Sequence, residues 1–379
     1  MRRAVLPVLS LLLCLCALTP PPVRSQVDVP EDSLDERTQT ATGLYFTGPY
    51  IAGRGAEGMI ELLRLSRMDT AVIDLKDATG RVHHDTAIPE LEAQESGMFG
   101  DGPALLRALR DAGVHTVARI VCFNDPVLAP ALPDRAIIDS RERFHGRVWT
   151  SWGTGGAWLD PWDQANQDMV IALAEEAEQL GFDEVQLDYI RFPVDDAREW
   201  ALYPDERAGT TRSELLHDLL ARMDAAIDIP IGVDVFGIQA FNPGDGSDLG
   251  QDLELWTDHV EIFTPMLYLH SMSDWEVGEE DRARRLVSRG VRLLRERIGE
   301  RPIIRPFLQA FEAGADHWDR DFIAEQIRGA RRGGADGFLF WNAGSSYGMV
   351  QRTMVREARS LSPFPIPDER AGARSLFGG

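Results

Sequence analysis

Asp188 and Asp234 each interrupt an apolar, β-branched run: Glu184-Val185-Gln186-Leu187-Asp188-Tyr189 and Ile231-Gly232-Val233-Asp234-Val235-Phe236. Burying a carboxylate in such a run is unfavourable unless it is paired or hydrogen-bonded, and a chain that does so repeatedly is building a site. Arg191, three residues beyond Asp188, could hold that carboxylate ionised, because a nearby opposite charge lowers its pKa. It could equally tie the strand to its loop. An ionised carboxylate can attack the anomeric carbon of a sugar or stabilise the cation that develops there. A second carboxyl in an apolar setting has its pKa raised and can protonate the leaving oxygen. Two carboxyls about 5–5.5 Å apart define a retaining hydrolase, and about 6.5–9.5 Å an inverting one. Asp234 is the candidate acid; the alternative is an acid hydrogen-bonded to Asp188 or Lys76. Glu261 and Glu312 are reserve acids.

Further polar residues end apolar runs: Asp74 and Lys76, Arg119, Gln309, and the pair Trp341-Asn342. Asp74 and Lys76 are two apart, which places them on one face of a strand. Lys76 is the only lysine against 38 arginines, and a compact ammonium is not interchangeable with a guanidinium. It could bind a substrate hydroxyl, lower the pKa of an acid, or form a buried ion pair with Asp74. Tyr45, Tyr189, Phe192, Phe236, Tyr268, Trp341 and Tyr347 offer ring faces on which a sugar could stack. Trp149, Trp152 and Trp158 lie in a Gly-rich loop that suits either a carbohydrate subsite or packing. Other chemistries find no support. The adjacent His83 and His84 would face opposite ways on a strand, and neither a His-Glu-x-x-His nor a paired-Cys motif occurs, so no metal is expected. Gly344-Ser345-Ser346-Tyr347-Gly348 has the Gly-x-Ser-x-Gly spacing but no His follows it in the chain, and Gly53-Arg54-Gly55-Ala56-Glu57-Gly58 has the Gly-x-Gly-x-x-Gly spacing but starts six residues past the first apolar run rather than directly after it, so neither a serine nucleophile nor a dinucleotide cofactor is expected. Cys122 reads as core.

Eight short apolar runs must position these groups: 44–47, 71–76, 116–121, 184–189, 231–236, 260–266, 303–309 and 337–341. Their β-branched and aromatic content predicts strands. Helical periodicity predicts helices over 58–67, 102–112, 164–180, 212–227, 282–298 and 321–332, with a shorter one over 249–257. Gly113, Gly181, Gly299 and Gly334 follow helical stretches at the position a C-cap needs. Eight strands alternating with helices specify an α/β fold, a single-domain (β/α)₈ TIM barrel over residues 43–360. In such barrels the active site lies at the C-terminal ends of the strands, where the polar residues above fall.

The chain begins Met1-Arg2-Arg3, continues with an apolar stretch to Leu18, and reaches Val23-Arg24-Ser25 before Gln26. That is the layout of a cleavable signal peptide over residues 1–25, too short in its apolar part for a comfortable membrane span. An exported protein, periplasmic or secreted, is expected, with no membrane span in the mature chain. Residues 26–42 read as a disordered leader and 361–379 as a disordered tail. Net charge is −22, and loss of Arg2, Arg3 and Arg24 would take it to about −25. Such a surface disfavours nucleic acid and anionic lipid.

These segments resemble a bacterial family of glycosyl hydrolase domains, long catalogued as a domain of unknown function. The likeness is carried by Val72 to Asp77 with Gly80, Ala118 to Val121 with Phe123 to Pro126, Trp158 to Pro161, and Phe182 to Pro193. It continues through Asp234 to Gly237, Gly250 to Leu253, Thr264 to Tyr268, Ile304 to Gln309, and Gly334 to Asn342. The resemblance spans roughly residues 43–350, in order. It implies a barrel related to the α-amylase-like hydrolases, whose fourth-strand Asp is the nucleophile and whose fifth-strand acid is the proton donor. Those positions are Asp188 and Asp234 here, with an Asp where the donor is normally a Glu. Asp74, Lys76, Arg119, Tyr189, Arg191, Tyr268, Gln309, Trp341 and Asn342 are the candidate substrate-binding residues. The expected function is hydrolysis of a glycosidic bond in an extracellular or cell-wall polysaccharide, with a polysaccharide or oligosaccharide as the partner. A non-catalytic glycan-binding barrel is the first alternative, and a metal-dependent hydrolase the second.

Overall fold

Strands and helices alternate in a computed structural model of the chain, which describes residues 34–141, 146–151, 156–194, 197–242, 246–272 and 281–361. The signal-peptide stretch, the tail from Ser362 and Trp152 lie outside them. The α-helices longer than one turn are α1 (Glu36–Thr40), α2 (Gly48–Ser66), α3 (Gly102–Asp111), α4 (Gln164–Leu180), α5 (Arg212–Asp224), α6 (Arg282–Ile298), α7 (Arg320–Gly333) and α8 (Gly348–Leu361). The strands are β1 (Thr42–Phe46), β2 (Thr70–Lys76), β3 (His115–Val121), β4 (Glu184–Asp188), β5 (Ile231–Phe236), β6 (Ile262–Met266), β7 (Ile303–Ile304), β8 (Phe307–Gln309) and β9 (Phe338–Trp341).

All neighbouring strands pair in parallel, from β1 through β6, then β7 and β8, then β9, which returns to β1. The result is a closed eight-stave (β/α)₈ TIM barrel, as the alternation of elements requires. The run 303–309 yields two pieces of one stave, because Pro306 has no N–H to give the ladder. Both pieces still reach β6: Ile303 pairs with Ile262 and Phe307 with Met266.

Local sequence explains the boundaries. Asp163 caps α4 by accepting from the Asn166 N–H, and Gly181 ends it at φ 94°, a conformation glycine adopts without penalty. The apolar residues of α6, Leu286, Val287, Gly290, Val291, Leu294 and Ile298, share one buried face. The link between β5 and β6 carries single turns at Ile238–Phe241, Gly246–Leu249 and Leu253–Trp256, the last capped by Asp252. Residues 34–42 depart from the expected disordered leader: α1 forms there and β1 begins at Thr42. Five residues are too few to show a helical period.

Three layers fill the barrel. At its N-terminal floor Arg305 donates to both Glu184 oxygens at 3.0 Å and to the Thr38 carbonyl at 3.1 Å. His115 Nε2 adds a contact to Glu184 at 2.6 Å. Above lies a small apolar layer of Tyr45, Val72, Val117, Phe307 and Leu339. The polar cluster described next occupies the C-terminal mouth. Two excursions flank that mouth: Ile138–Asp139, after β3, pairs antiparallel with Ala201–Leu202, after β4.

Candidate active site

Period-two alternation in β4 turns Glu184, Gln186 and Asp188 to the barrel interior, the first at the floor and the last at the mouth. Neighbouring staves bring Asp74, Arg119 and Asp234 to the same level, since Asp74 pairs in register with Arg119, and Val121 with Asp188. Arg119 is the hub. Its Nη1 donates to Asp74 Oδ1 at 2.5 Å, and its Nε and Nη2 both donate to Asp188 Oδ2, at 3.1 and 2.5 Å. Its Nε also lies 3.9 Å from Asp234 Oδ2. The two aspartate oxygens that share this nitrogen are thus at most about 7 Å apart, which admits the retaining spacing and the shortest inverting ones.

Each carboxylate has a distinct setting. Tyr45 donates its hydroxyl to Asp74 Oδ2 at 2.5 Å, and burial raises the Asp74 pKa against the pull of Arg119. Asp188 Oδ1 accepts the Tyr189 N–H at 2.7 Å. Asp234 Oδ1 accepts from Gln186 Nε2 at 2.5 Å, while its Oδ2 has no hydrogen-bond partner among the described residues. Burial, then the Asp188 charge, raises the Asp234 pKa well above the usual carboxylate range. Burial alone would lower the Arg119 pKa, but Asp188 and Asp74 outweigh it and raise it. Side-chain exposure separates the three acids: 12% for Asp188, 2% for Asp74 and 1% for Asp234. Asp188 is the one a substrate can reach.

The backbone after Asp188 is unusual. Tyr189 takes φ 53°, a left-handed conformation worth of order 1–3 kcal/mol of strain for a bulky residue. This turn folds its N–H back onto the preceding carboxylate. The Tyr189 ring packs 5.7 Å from Trp158.

Several expected roles change. Lys76 leaves the interior because the ladder shifts between Asp74 and Lys76: Asp74 pairs with Arg119 but Lys76 with Ile120. A one-residue bulge turns the next side chain to the other face. Its ammonium, 0% exposed, meets Asp125 Oδ2 at 3.0 Å and the Val121 carbonyl at 3.0 Å, so it is a buried ion pair rather than a substrate ligand. Gln309 is consumed by loops: its Oε1 accepts from the His270 N–H, and its Nε2 donates to the Phe311 and Ala313 carbonyls. Asn342 likewise donates to the Ala310 carbonyl and accepts from the Gly344 and Ser346 N–H groups. Arg191 Nη1 donates to the Phe192 carbonyl, and its guanidinium lies over the rings of Trp158, Tyr189 and Phe236; the arginine that binds Asp188 is Arg119. Of the reserve acids, Glu261 accepts from the Ile231 N–H below the strands, far from the mouth, and Glu312 is exposed beyond β8.

The aromatic set divides in the same way. Trp341 stacks on Tyr45 at 6.0 Å and sits 5.9 Å from Tyr268, half-buried beside the carboxylates. Phe311 completes this wall, 5.5 Å from Trp341; it lies in a loop where no period points to it. Trp149, Trp158, Phe192 and Tyr347 are buried and serve packing, and the Tyr347 hydroxyl bonds the Tyr45 and Phe340 carbonyls. Gln186, also unanticipated, was readable two residues before Asp188. Among the described residues no group of three or more His, Cys, Asp or Glu side chains is placed to hold a metal ion.

The site is thus an Asp–Arg–Asp cluster at the mouth of a closed (β/α)₈ barrel. Residues 43–347 match the family described as "Putative glycosyl hydrolase domain", and the chain belongs to that family. No curated protein is significantly similar to it. Among solved structures it is similar to the PgaB (BpsB) glycoside hydrolase domain from Bordetella bronchiseptica, at 15% identity over 85% of this chain and 99% of that one, with a TM-score of 0.57. It is also similar to the maltogenic α-amylase AmyB from Thermotoga neapolitana, at 11% identity over 81% and 68% of the chains, TM-score 0.50. The spore cortex-lytic enzyme SleL from Bacillus cereus matches at 9% identity over 83% and 74%, TM-score 0.50. At these identities the likeness is one of fold.

Proposed function

We propose that the protein is an exported glycosidase that cleaves an extracellular or cell-wall polysaccharide at the barrel mouth. The observation that carries this reading is the setting of Asp188: a solvent-reached carboxylate fixed by two N–H groups of Arg119 and by the Tyr189 N–H. Asp188 faces the anomeric carbon, and Asp234 behind it holds the proton for the leaving oxygen. The half-buried wall of Trp341, Tyr268 and Phe311 supplies the ring faces for the sugar. Membership in a glycosyl hydrolase family supports the reaction class, and the signal-peptide layout of residues 1–25 supports export. The test is release of new reducing ends from peptidoglycan, chitin, chitosan and α-glucan. Wild-type protein should act on at least one of them, and Asp188→Asn should lose at least a thousandfold in rate. A wild type inert on every glycan yet retained by one of them would move the reading to a glycan-binding barrel, which the 1% exposure of Asp234 favours.

A further inference from the structure

Arg191 stands at the junction of three segments that build the mouth. Its guanidinium carbon is 4.9 Å from the ring of Trp158 in the excursion after β3, 5.1 Å from Tyr189 at the exit of β4, and 4.6 Å from Phe236 at the end of β5. Its Nη1 donates to the Phe192 carbonyl at 3.1 Å, and the residue is 4% exposed. A planar guanidinium can lie against several rings while donating from its edge, which an ammonium cannot do.

Two of the three rings are tied to the acids. Tyr189 follows Asp188 in the strained left-handed conformation, and its N–H holds Asp188 Oδ1 at 2.7 Å. Phe236 lies two residues beyond Asp234 on β5. A guanidinium between these rings links the exit of the Asp188 strand to the end of the Asp234 strand. Strain of the kind Tyr189 carries persists only where the surroundings over-determine it.

We infer that Arg191 is a positioning residue: by clamping Tyr189 against Trp158 and Phe236 it keeps the Tyr189 N–H on Asp188 and sets the spacing of the Asp188–Asp234 pair. This inference rests on the glycosidase reading for its catalytic consequence, but the clamp itself does not. Selective ¹⁵N-tyrosine labelling of the full chain gives six amides at most. Hydrogen exchange at Tyr189 in Arg191→Lys should accelerate at least tenfold while the Tyr45 amide, inside β1, is unchanged. Unchanged exchange at Tyr189, or equal acceleration at both amides, overturns the clamp. On a glycan that the wild type cleaves, Arg191→Lys should lower kcat at least tenfold with KM within about twofold. Glycine adopts positive φ freely, so in a Tyr189→Gly background the same substitution should lower kcat less than threefold. An equal loss in both backgrounds overturns the positioning role. Tyr189→Gly also removes the half-buried ring, so the kcat of that variant is the reference for the comparison. Selective acceleration in a protein that cleaves no glycan would sink the glycosidase reading and leave the clamp standing.

Discussion

Arg119 directs two of its N–H groups, Nε and Nη2, at a single oxygen of Asp188. That geometry leaves the other oxygen to the Tyr189 N–H, so the carboxylate cannot rotate without losing three hydrogen bonds. A lysine at position 119 presents one nitrogen and cannot direct two N–H groups from separate nitrogens at the same oxygen while a third reaches Asp74. Arg119→Lys should therefore lower kcat about 100-fold or more while changing KM little. Steady-state kinetics on the cleaved glycan check this; an effect confined to KM would instead make Arg119 a substrate ligand.

Asp234 couples function against stability. Its folded pKa is raised by burial and by the Asp188 charge, so the unfolded chain ionises first as pH rises above about 3.8 and the native state is penalised. Asparagine imitates the protonated acid without that penalty. Asp234→Asn should raise Tm by about 2–4 °C at pH 7, with the gain disappearing as pH falls below about 3.8, and it should abolish hydrolysis. Calorimetry across that pH range reads the sign directly.

The floor network gives the opposite dependence. Burial would raise the Glu184 pKa, but Arg305 and His115 outweigh it and hold it at about 2. A depressed folded pKa stabilises above the unfolded value of 4.5 and is lost as pH falls toward 2. Thermal midpoints should drop steeply across that window. Glu184→Gln, less stable at neutral pH because Arg305 is left unpaired, should show a flatter acid limb. Parallel limbs would mean that another carboxylate sets acid stability.

Lys76 and Asp125 form a fully buried pair. Removing one member leaves an uncompensated charge, which is worth about 3–5 kcal/mol. Lys76→Met should lose that much in urea unfolding. Adding Asp125→Asn should recover most of it, since asparagine still accepts from the Val127 and Leu128 N–H groups that bind Asp125 Oδ1.

Most of the barrel was legible because a stave buried on both faces is a short apolar run, and each run from Leu44 to Trp341 became one. Asp188, Arg119, Asp74 and Asp234 stood out because a charge inside such a run is costly to bury unless partners of opposite charge or hydrogen bonds meet it there. The failures have physical reasons. The bulge after Asp74 leaves no trace in periodicity, so period-two counting puts Lys76 on the Asp74 face. Gln309 and Asn342 end their strands as site residues do, but backbone groups of adjacent loops claim their hydrogen bonds. No local pattern could tell that the guanidinium for Asp188 comes from Arg119, one stave away, rather than from Arg191.

The enclosure of Lys76 has a practical corollary. It is the chain's sole lysine and has no solvent-exposed surface. A lysine-specific protease or an amine-directed acylating reagent therefore finds no side-chain target on the native protein. Cleavage or labelling at residue 76 marks molecules whose second stave has opened, so this position is a built-in, single-site reporter of unfolding.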